Sequence, residues 1–507
     1  MNPKETAVVA KNAAANVVRG CATAAVALAL PAFLTRLMSI DSYGVWSLVL
    51  QMSAFVSYLD FGIQTAIGRF VAHAAERKDT EQRDRILSTA LAALGISGAM
   101  GIVAAGGLAV VMPSIFHSIP HELLAQARVA LLLVAGSMAV GLPFSVFNGI
   151  FVGLQRYEIP AAVIGVSRLF SAAVLILVAR EHGGLLQMAV AVAVVNFGAY
   201  GTQYLLYRWL APRARFSSEL VSRRSGHELF DYCFSLSIWS LGMLLVSGFD
   251  ITLVGYFDFG KIAYYSVAAT LILFLGGLQN AIFSTLIPST AVVQARGDAK
   301  QLGQIVVTAT RYGMFLLLLT GLPLIFAARP ILNLWVGQQY AVGGALILEV
   351  LTIANVIRLC GLPYSAALIG TGQQRLATVT PILEGVCNFL VSIAAGYLFG
   401  AIGVALGTLV GAIVGILGHI FYNLPRTREI RLKVLDFLKE GLLRPTICAL
   451  PIIAVATALW LAGVSSPMVA RPAVVLGATA TAVLLWRYGL LPSERDKLRL
   501  SRLVALW

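Results

Sequence analysis

The sequence predicts an all-helical protein that crosses a membrane about fourteen times. Three observations carry this. Of the 507 residues, 59% are hydrophobic and only 12% are charged. Apolar runs long enough to span a bilayer recur along the whole chain, and Lys and Arg gather in alternate connectors between them. A soluble domain is nearer half apolar and a quarter charged, and a fold of this length has no interior large enough to hide the excess. Lipid must therefore solvate most of it, as the mean hydropathy of +0.85 also implies.

A spanning helix needs about 20 mainly apolar residues. By that measure spans fall near 14–36, 44–66, 87–112, 126–150, 160–180 and 185–207, then 231–257, 262–287, 303–327, 342–369, 376–398 and 400–423, with two more at 441–463 and 468–490. The first run follows Lys4, Lys11 and Arg19, much as a secretory leader would. Thirteen further runs come after it, so an uncleaved first span is expected.

The excess of 37 basic over 23 acidic residues gives a net charge of +14. It is placed as a topology signal, not as a nucleic-acid surface, and no nucleic-acid motif is present. Arg77, Lys78, Arg83 and Arg85 form one basic connector, Arg208, Arg213, Arg215, Arg223 and Arg224 a second, and Arg426, Arg428, Arg431, Lys433, Lys439 and Arg444 a third. Connectors of the other parity hold one or two basic residues each, such as Arg36, Lys261, Arg329 and Arg471. Basic loops stay in the cytoplasm, so both termini are expected inside. The five cysteines are scattered through apolar runs without CxxC spacing, which implies neither disulfides nor a zinc site. No metal and no cofactor is expected, and no phosphate-cradling loop for ATP occurs.

The chain also repeats itself. GLPFS at 141–145 matches GLPYS at 361–365, and GLQR at 153–156 matches GQQR at 372–375. Arg77-x-Asp79 matches Arg296-x-Asp298, and Trp46-Ser47 matches Tyr265-Ser266. Six spans lie between equivalent points, so the repeats share one orientation, and a binding site is expected between them. The expected organisation is a six-helix lobe over 1–208, a connector over 209–230, a second lobe over 231–424, and an appendage of a basic connector, two helices and a tail over 425–507.

Polar residues recur at helical spacing inside the spans: Asn12, Asn16, Arg19 and Thr23; Ser53, Ser57, Asp60 and Gln64; Asn196, Tyr200, Gln203 and Tyr207. Such stripes turn one face of each helix away from lipid. An ionisable group at a helix centre costs about 2.5–3.5 kcal/mol on insertion scales, so it faces a watery cavity or a partner. Asp60, Arg168, Asp250, Arg311, Glu349, Arg358 and Glu384 are the candidates. Asp60, Asp250, Glu349 and Glu384 are candidate ion-coupling or ion-pairing groups, with proton and sodium both open. Arg168 and Glu384 fall at similar depth in equivalent spans, either as a pair across the cavity or as opposite charges offered to a substrate.

RLMSIDSYGVWSLVLQ at 36–51, LDFGIQTAIGRFVA at 59–72, FNGIFVGLQRYEIPA at 147–161 and FDITLVGYF at 249–257 carry a family resemblance. Together they resemble the polysaccharide-transporter branch of the multidrug/oligosaccharidyl-lipid/polysaccharide exporter superfamily. The resemblance implies a flippase in the bacterial inner membrane that carries a polyprenyl-diphosphate-linked oligosaccharide by alternating access, working with polysaccharide-assembly proteins. It implies a cationic cavity, to which Arg168, Arg311 and Arg358 are assigned, with Arg19, Asn196 and Tyr200 beside them. A drug or peptidoglycan-precursor exporter of the same architecture is the alternative; the first span lacks the acid that the drug branch usually shows, while Asp250 and Glu349 in the second lobe keep that branch open. A polymerase or ligase would need a sizeable external loop with catalytic Arg or His, whereas His117 and His121 stand alone with Glu122. The expectation is a transporter without enzymatic activity.

Overall fold

The computed structural model describes residue 20 and residues 23–211, 214–427, 429–463, 467–492 and 494–495. Among the described residues it is helical throughout, with no strand. Lys4, Lys11, Asn12, Asn16 and Arg19 lie outside these residues.

Helix α1 covers Thr23–Leu37, α2 Ile40–Arg77, α3 Thr80–Ile115, α4 His121–Gly153, α5 Glu158–Arg180 and α6 Leu185–Leu210. After a connector, α7 runs from Arg223–Met243 through a π-turn, Leu244–Gly248, into Asp250–Phe257. Then come α8 Phe259–Ala295, α9 Ala299–Phe326, a short helix Ala328–Trp335 and α10 Gln338–Gly370. The next helical stretch, Thr378–Arg426, is 49 residues long. At about 1.5 Å per residue that is more than twice the bilayer core, so it cannot be one span. Gly400 divides it, with φ 58° and ψ −134°, a conformation open to glycine alone. We label the parts α11 and α12. The last two are α13, whose pieces Val434–Cys448 and Leu450–Leu461 meet at 49°, and α14, Met468–Gly489. Among the described residues there are thus fourteen apolar helical stretches, as the sequence predicts, Thr23–Leu37 being the described part of the first.

Glycines explain why α11 and α12 fold back on each other. A Cβ on Gly403 would fall 2.0 Å from the Ala395 carbonyl oxygen, and one on Gly411 would fall 2.7 Å from the Asn388 Cβ. Gly407 meets Ser392 and Gly415 meets Glu384 in the same way. These four glycines are spaced every fourth residue and form one seam on α12, which brings Glu384, Asn388 and Ser392 of α11 into the packed interior.

The repeat seen in sequence recurs as local structure. Asp79 caps α3 by accepting from the Gln82 amide at 2.9 Å, and Asp298 caps α9 by accepting from the Gln301 amide at 2.8 Å. The residue before each cap, Lys78 or Gly297, is left-handed, so the same turn is built twice. In each half one helix sits centrally: α4 packs on α2, α3 and α6, and α10 packs on α8, α9 and the α11–α12 hairpin. Helices α2 and α8 are both interrupted partway, at 55–62 and 284–285.

The two halves meet most firmly at the end away from the basic connectors. The Trp335 indole donates to the Leu28 carbonyl at 2.8 Å, and Arg36 donates to Leu334 at 3.2 Å. Tyr43 lies edge-on to Tyr340 at 6.1 Å, and Gly44 lets α2 approach Ile262 and Ala263. At the basic end the Arg69 guanidinium stands 4.7 Å over the Tyr232 ring, and the Ser237 hydroxyl donates to the Phe61 carbonyl at 3.2 Å.

Candidate functional site

The second half holds a buried polar network built on the broken helix α7. A π-turn frees carbonyls from the helical ladder, and here two of them are claimed by distant side chains. Asn388 of α11 donates to Val246 at 2.6 Å, and Gln51 of α2 donates to Gly248 at 2.6 Å. Two residues further on, Asp250 is 9% exposed and accepts from the Tyr265 hydroxyl at 3.1 Å and the Thr408 hydroxyl at 3.3 Å. No ion pair closes on Asp250 among the described residues; Arg358 acts on it only through space.

Arg358 is instead paired through Nε with Glu384, and its Nη1 donates to Asn355 at 3.2 Å. The acid beside Arg358 is therefore Glu384 of the neighbouring hairpin, so Glu384 is not available to Arg168. Glu349, on the same helix as Arg358, faces Arg329. The ladder continues along α11, where Ser392 donates to the Asn388 side chain at 3.0 Å.

Arg311 stands apart from this network. It is 1% exposed and pairs with Glu494, with Glu440 at 3.9 Å, where α9 meets the appendage. The structure does not bring it together with Arg168 and Arg358.

In the first half, Arg168 is exposed and forms no ion pair among the described residues. Its direction is informative. Val166, Leu169, Phe170 and Leu177 form the exposed apolar stripe of α5, while Ala161, Ala172, Leu175 and Ala179 form its buried side. At about 100° per residue Arg168 projects with the buried set, on the side where α5 packs against α6, yet it remains exposed. Asp60 ends the first interruption of α2, where Phe61 (φ 50°) and Gly62 (φ 79°) turn the chain. Its carboxylate lies beside the Gly62 and Gln64 amides, Ser145 and Cys233, again without an ion pair among the described residues.

Asn196 and Tyr200 are occupied in packing. The Asn196 amide donates to Ser137 at 2.9 Å, and the Tyr200 ring stacks on Phe144 at 5.6 Å in the space that Gly141 leaves. Tyr265, Thr408 and Gln51 carry interactions as central as any of the candidates. A lone Tyr, Thr or Gln in a span has no sequence signal that separates it from ordinary helix glue.

Comparison with known proteins decides the family. Residues 9–294 match the family described as "Polysaccharide biosynthesis protein". The chain belongs to this family. A relative in sequence is the "Uncharacterized membrane protein EpsK" of Bacillus subtilis (strain 168), 24% identical over 368 residues, covering 71% of this chain and 72% of that one. Among solved structures, the lipid II flippase MurJ in an inward closed conformation superimposes with a TM-score of 0.68 at 15% identity, over 92% of this chain and 98% of that one. An inward-facing multidrug resistance MATE family transporter of the MOP superfamily superimposes with a TM-score of 0.61 at 17% identity, over 78% of this chain and 97% of that one. At these identities the structural neighbours share the fold alone. The protein is a polytopic membrane protein of the polysaccharide biosynthesis family, and its fold is the one these two transporters share.

Proposed function

We propose that this protein is a flippase, without enzymatic activity, that carries a polyprenyl-diphosphate-linked oligosaccharide across a bacterial inner membrane by alternating access between its two halves. The observation that carries the reading is Arg168. A guanidinium inside a spanning helix, exposed on the helix's otherwise buried side and free of any ion pair among the described residues, supplies what an anionic diphosphate needs. Arg358 is neutralised by Glu384 and Arg311 by Glu494, which leaves Arg168 as the first-half cation for the cargo.

Arg168→Gln should reduce complementation of a flippase-null strain to background while the amount of inserted protein stays unchanged, because no partner is orphaned. Arg168→Lys should keep part of the activity, since the charge survives and the planar fork does not. Full complementation by a well-inserted Arg168→Gln variant would sink the role. The same plasmids belong in a strain lacking its peptidoglycan-precursor flippase as well, because that cargo carries the same polyprenyl diphosphate; rescue there alone would move the assignment to that substrate.

The basic connectors lie in the cytoplasm in this reading, following the one-sided Lys and Arg. Cysteines introduced at Ser218 and Lys433, both exposed, should resist membrane-impermeant reagents in intact cells and react once the cells are opened. Labelling of both from outside would reverse the topology.

Asp250 is the group we assign to ion coupling. A buried carboxylate whose partners are two hydroxyls and the Asn388 side chain, with no ion pair among the described residues, is balanced by a proton or by a bound sodium ion. Its place next to the π-turn lets that balance act on the contact between halves.

A further inference from the structure

Two cavities on opposite flanks of α9 share a wall. The first, of about 1120 Å³, opens at the basic end between the start of α9 and the connector that precedes α13. Its charged lining includes Lys300, Arg431 and Lys433. The second, of about 680 Å³, is an apolar groove between α8 and α9, lined by Ile282, Phe283, Leu286, Ile305, Ala309 and Leu316. Gln304, Thr308 and Tyr312 line both. They are spaced every fourth residue, so they form one strip along the helix.

The charge in the first cavity is not cancelled. Its acids Glu440 and Glu494 are engaged by Arg444 and Arg311. Lys300, Arg431 and Lys433 form no ion pair among the described residues, against one further acid, Asp436. Arg311 adds a buried Nε with no hydrogen-bond partner among the described residues. The backbone that carries Arg431 is also held against α9. The Arg431 amide donates to the Ala299 carbonyl at 3.0 Å, and Gly303 leaves room for that approach, since a Cβ there would fall 2.3 Å from the Arg431 carbonyl oxygen.

We propose that these joined cavities hold one anionic phospholipid of the surrounding bilayer, its headgroup among Lys300, Arg431 and Lys433 and an acyl chain in the groove between α8 and α9. The basic pocket alone fits any phosphate. The adjoining apolar groove selects a lipid, because residues 301 to 316 extend it roughly 22 Å into the helical layer at the rise of an α-helix. Basic pockets at the inner surface attract anionic headgroups through the same charge term. The site is separate from the Asp250 network and from Arg168, and it stands whether or not the transported cargo is the one proposed above.

The test uses the full-length protein in detergent, loaded in turn with phosphatidylglycerol and phosphatidylcholine and weighed by native mass spectrometry. Phosphatidylglycerol should be retained preferentially. Lys300→Gln with Lys433→Gln should weaken that retention about 25-fold, from roughly fivefold per lost charge, and leave phosphatidylcholine unaffected. Ile305→Trp, which fills the groove and changes no charge, should also weaken phosphatidylglycerol retention. Melting in phosphatidylcholine identifies a misfolded variant, and Arg431→Gln replaces whichever lysine variant fails. Equal retention by wild type and both variants would overturn the site. Displacement by millimolar inorganic phosphate would make it a free-anion site, and recovery of a polyprenyl phosphate in place of phospholipid would make it part of the cargo path; either overturns the proposal.

Discussion

Arg358→Gln should destabilise the folded protein by about 3–5 kcal/mol, because it leaves the Glu384 carboxylate buried without its partner. Glu384 is 7% exposed and sits on the α11–α12 hairpin against Gly415, where no alternative cation can be inserted without moving the seam. Arg358→Gln/Glu384→Gln should recover most of the loss, since two neutral amides can exchange hydrogen bonds in the same space. The check is a double-mutant cycle on melting in detergent, with inserted protein measured in parallel. Two independent losses that simply add would show that the pair is not a unit. The cycle also separates two roles for Arg358. As part of a neutral pair it supports the cleft wall, and the stable double variant should keep transport. As a cargo ligand it would leave the stable double variant inactive.

The fold was legible because its signals are compositional: repeated apolar runs and one-sided Lys and Arg survive any local error. The Arg-x-Asp turn was legible too, since a cap needs only its own few residues. At the other matched motif the structure places the equivalent left-handed residues at Gln155 and Gly372, two residues off the GLQR and GQQR alignment, because a turn is fixed by where its helix ends and not by which letters agree. The charged candidates were flagged correctly as unusual, but their partners were hidden. Glu349 is nine residues from Arg358, which puts it about 13 Å along the helix and on the opposite face. Glu384 reaches Arg358 only because glycines fold α12 onto α11 and pack that hairpin on α10. Arg311 meets an acid 183 positions away, a contact without any local period. Arg168 differs: its outlier status on the buried side of α5 combines a helical period, present in sequence, with exposure, which is not.

Asp250→Asn should abolish gradient-driven transport while leaving the protein folded and the cargo bound. The amide keeps an acceptor for the hydroxyls of Tyr265 and Thr408, so the packing of α7 against α8 and α12 has no reason to fail. What disappears is the charge, and with it the differential between the ion-loaded and ion-free states that any coupling requires. The route from that charge to the interface between halves is short. Asp250 follows the π-turn whose Gly248 carbonyl is held by Gln51 of α2, at the end where the halves are closed. Loading Asp250 therefore acts on a segment whose hydrogen bond must break when that end opens. Gln51→Leu removes the bond without removing the charge, so it should favour the state open at that end and keep a weakened dependence on the gradient. In proteoliposomes with an imposed proton or sodium gradient, wild type should respond to one of them, Gln51→Leu less steeply, and Asp250→Asn to neither, with equilibrating exchange of labelled cargo preserved in all three. A normal gradient response in Asp250→Asn would move coupling elsewhere. Asp60, the other acid without an ion pair beside a helix interruption, would be the next residue to neutralise, since it ends the break in α2 and faces Cys233 of α7 across the same interface.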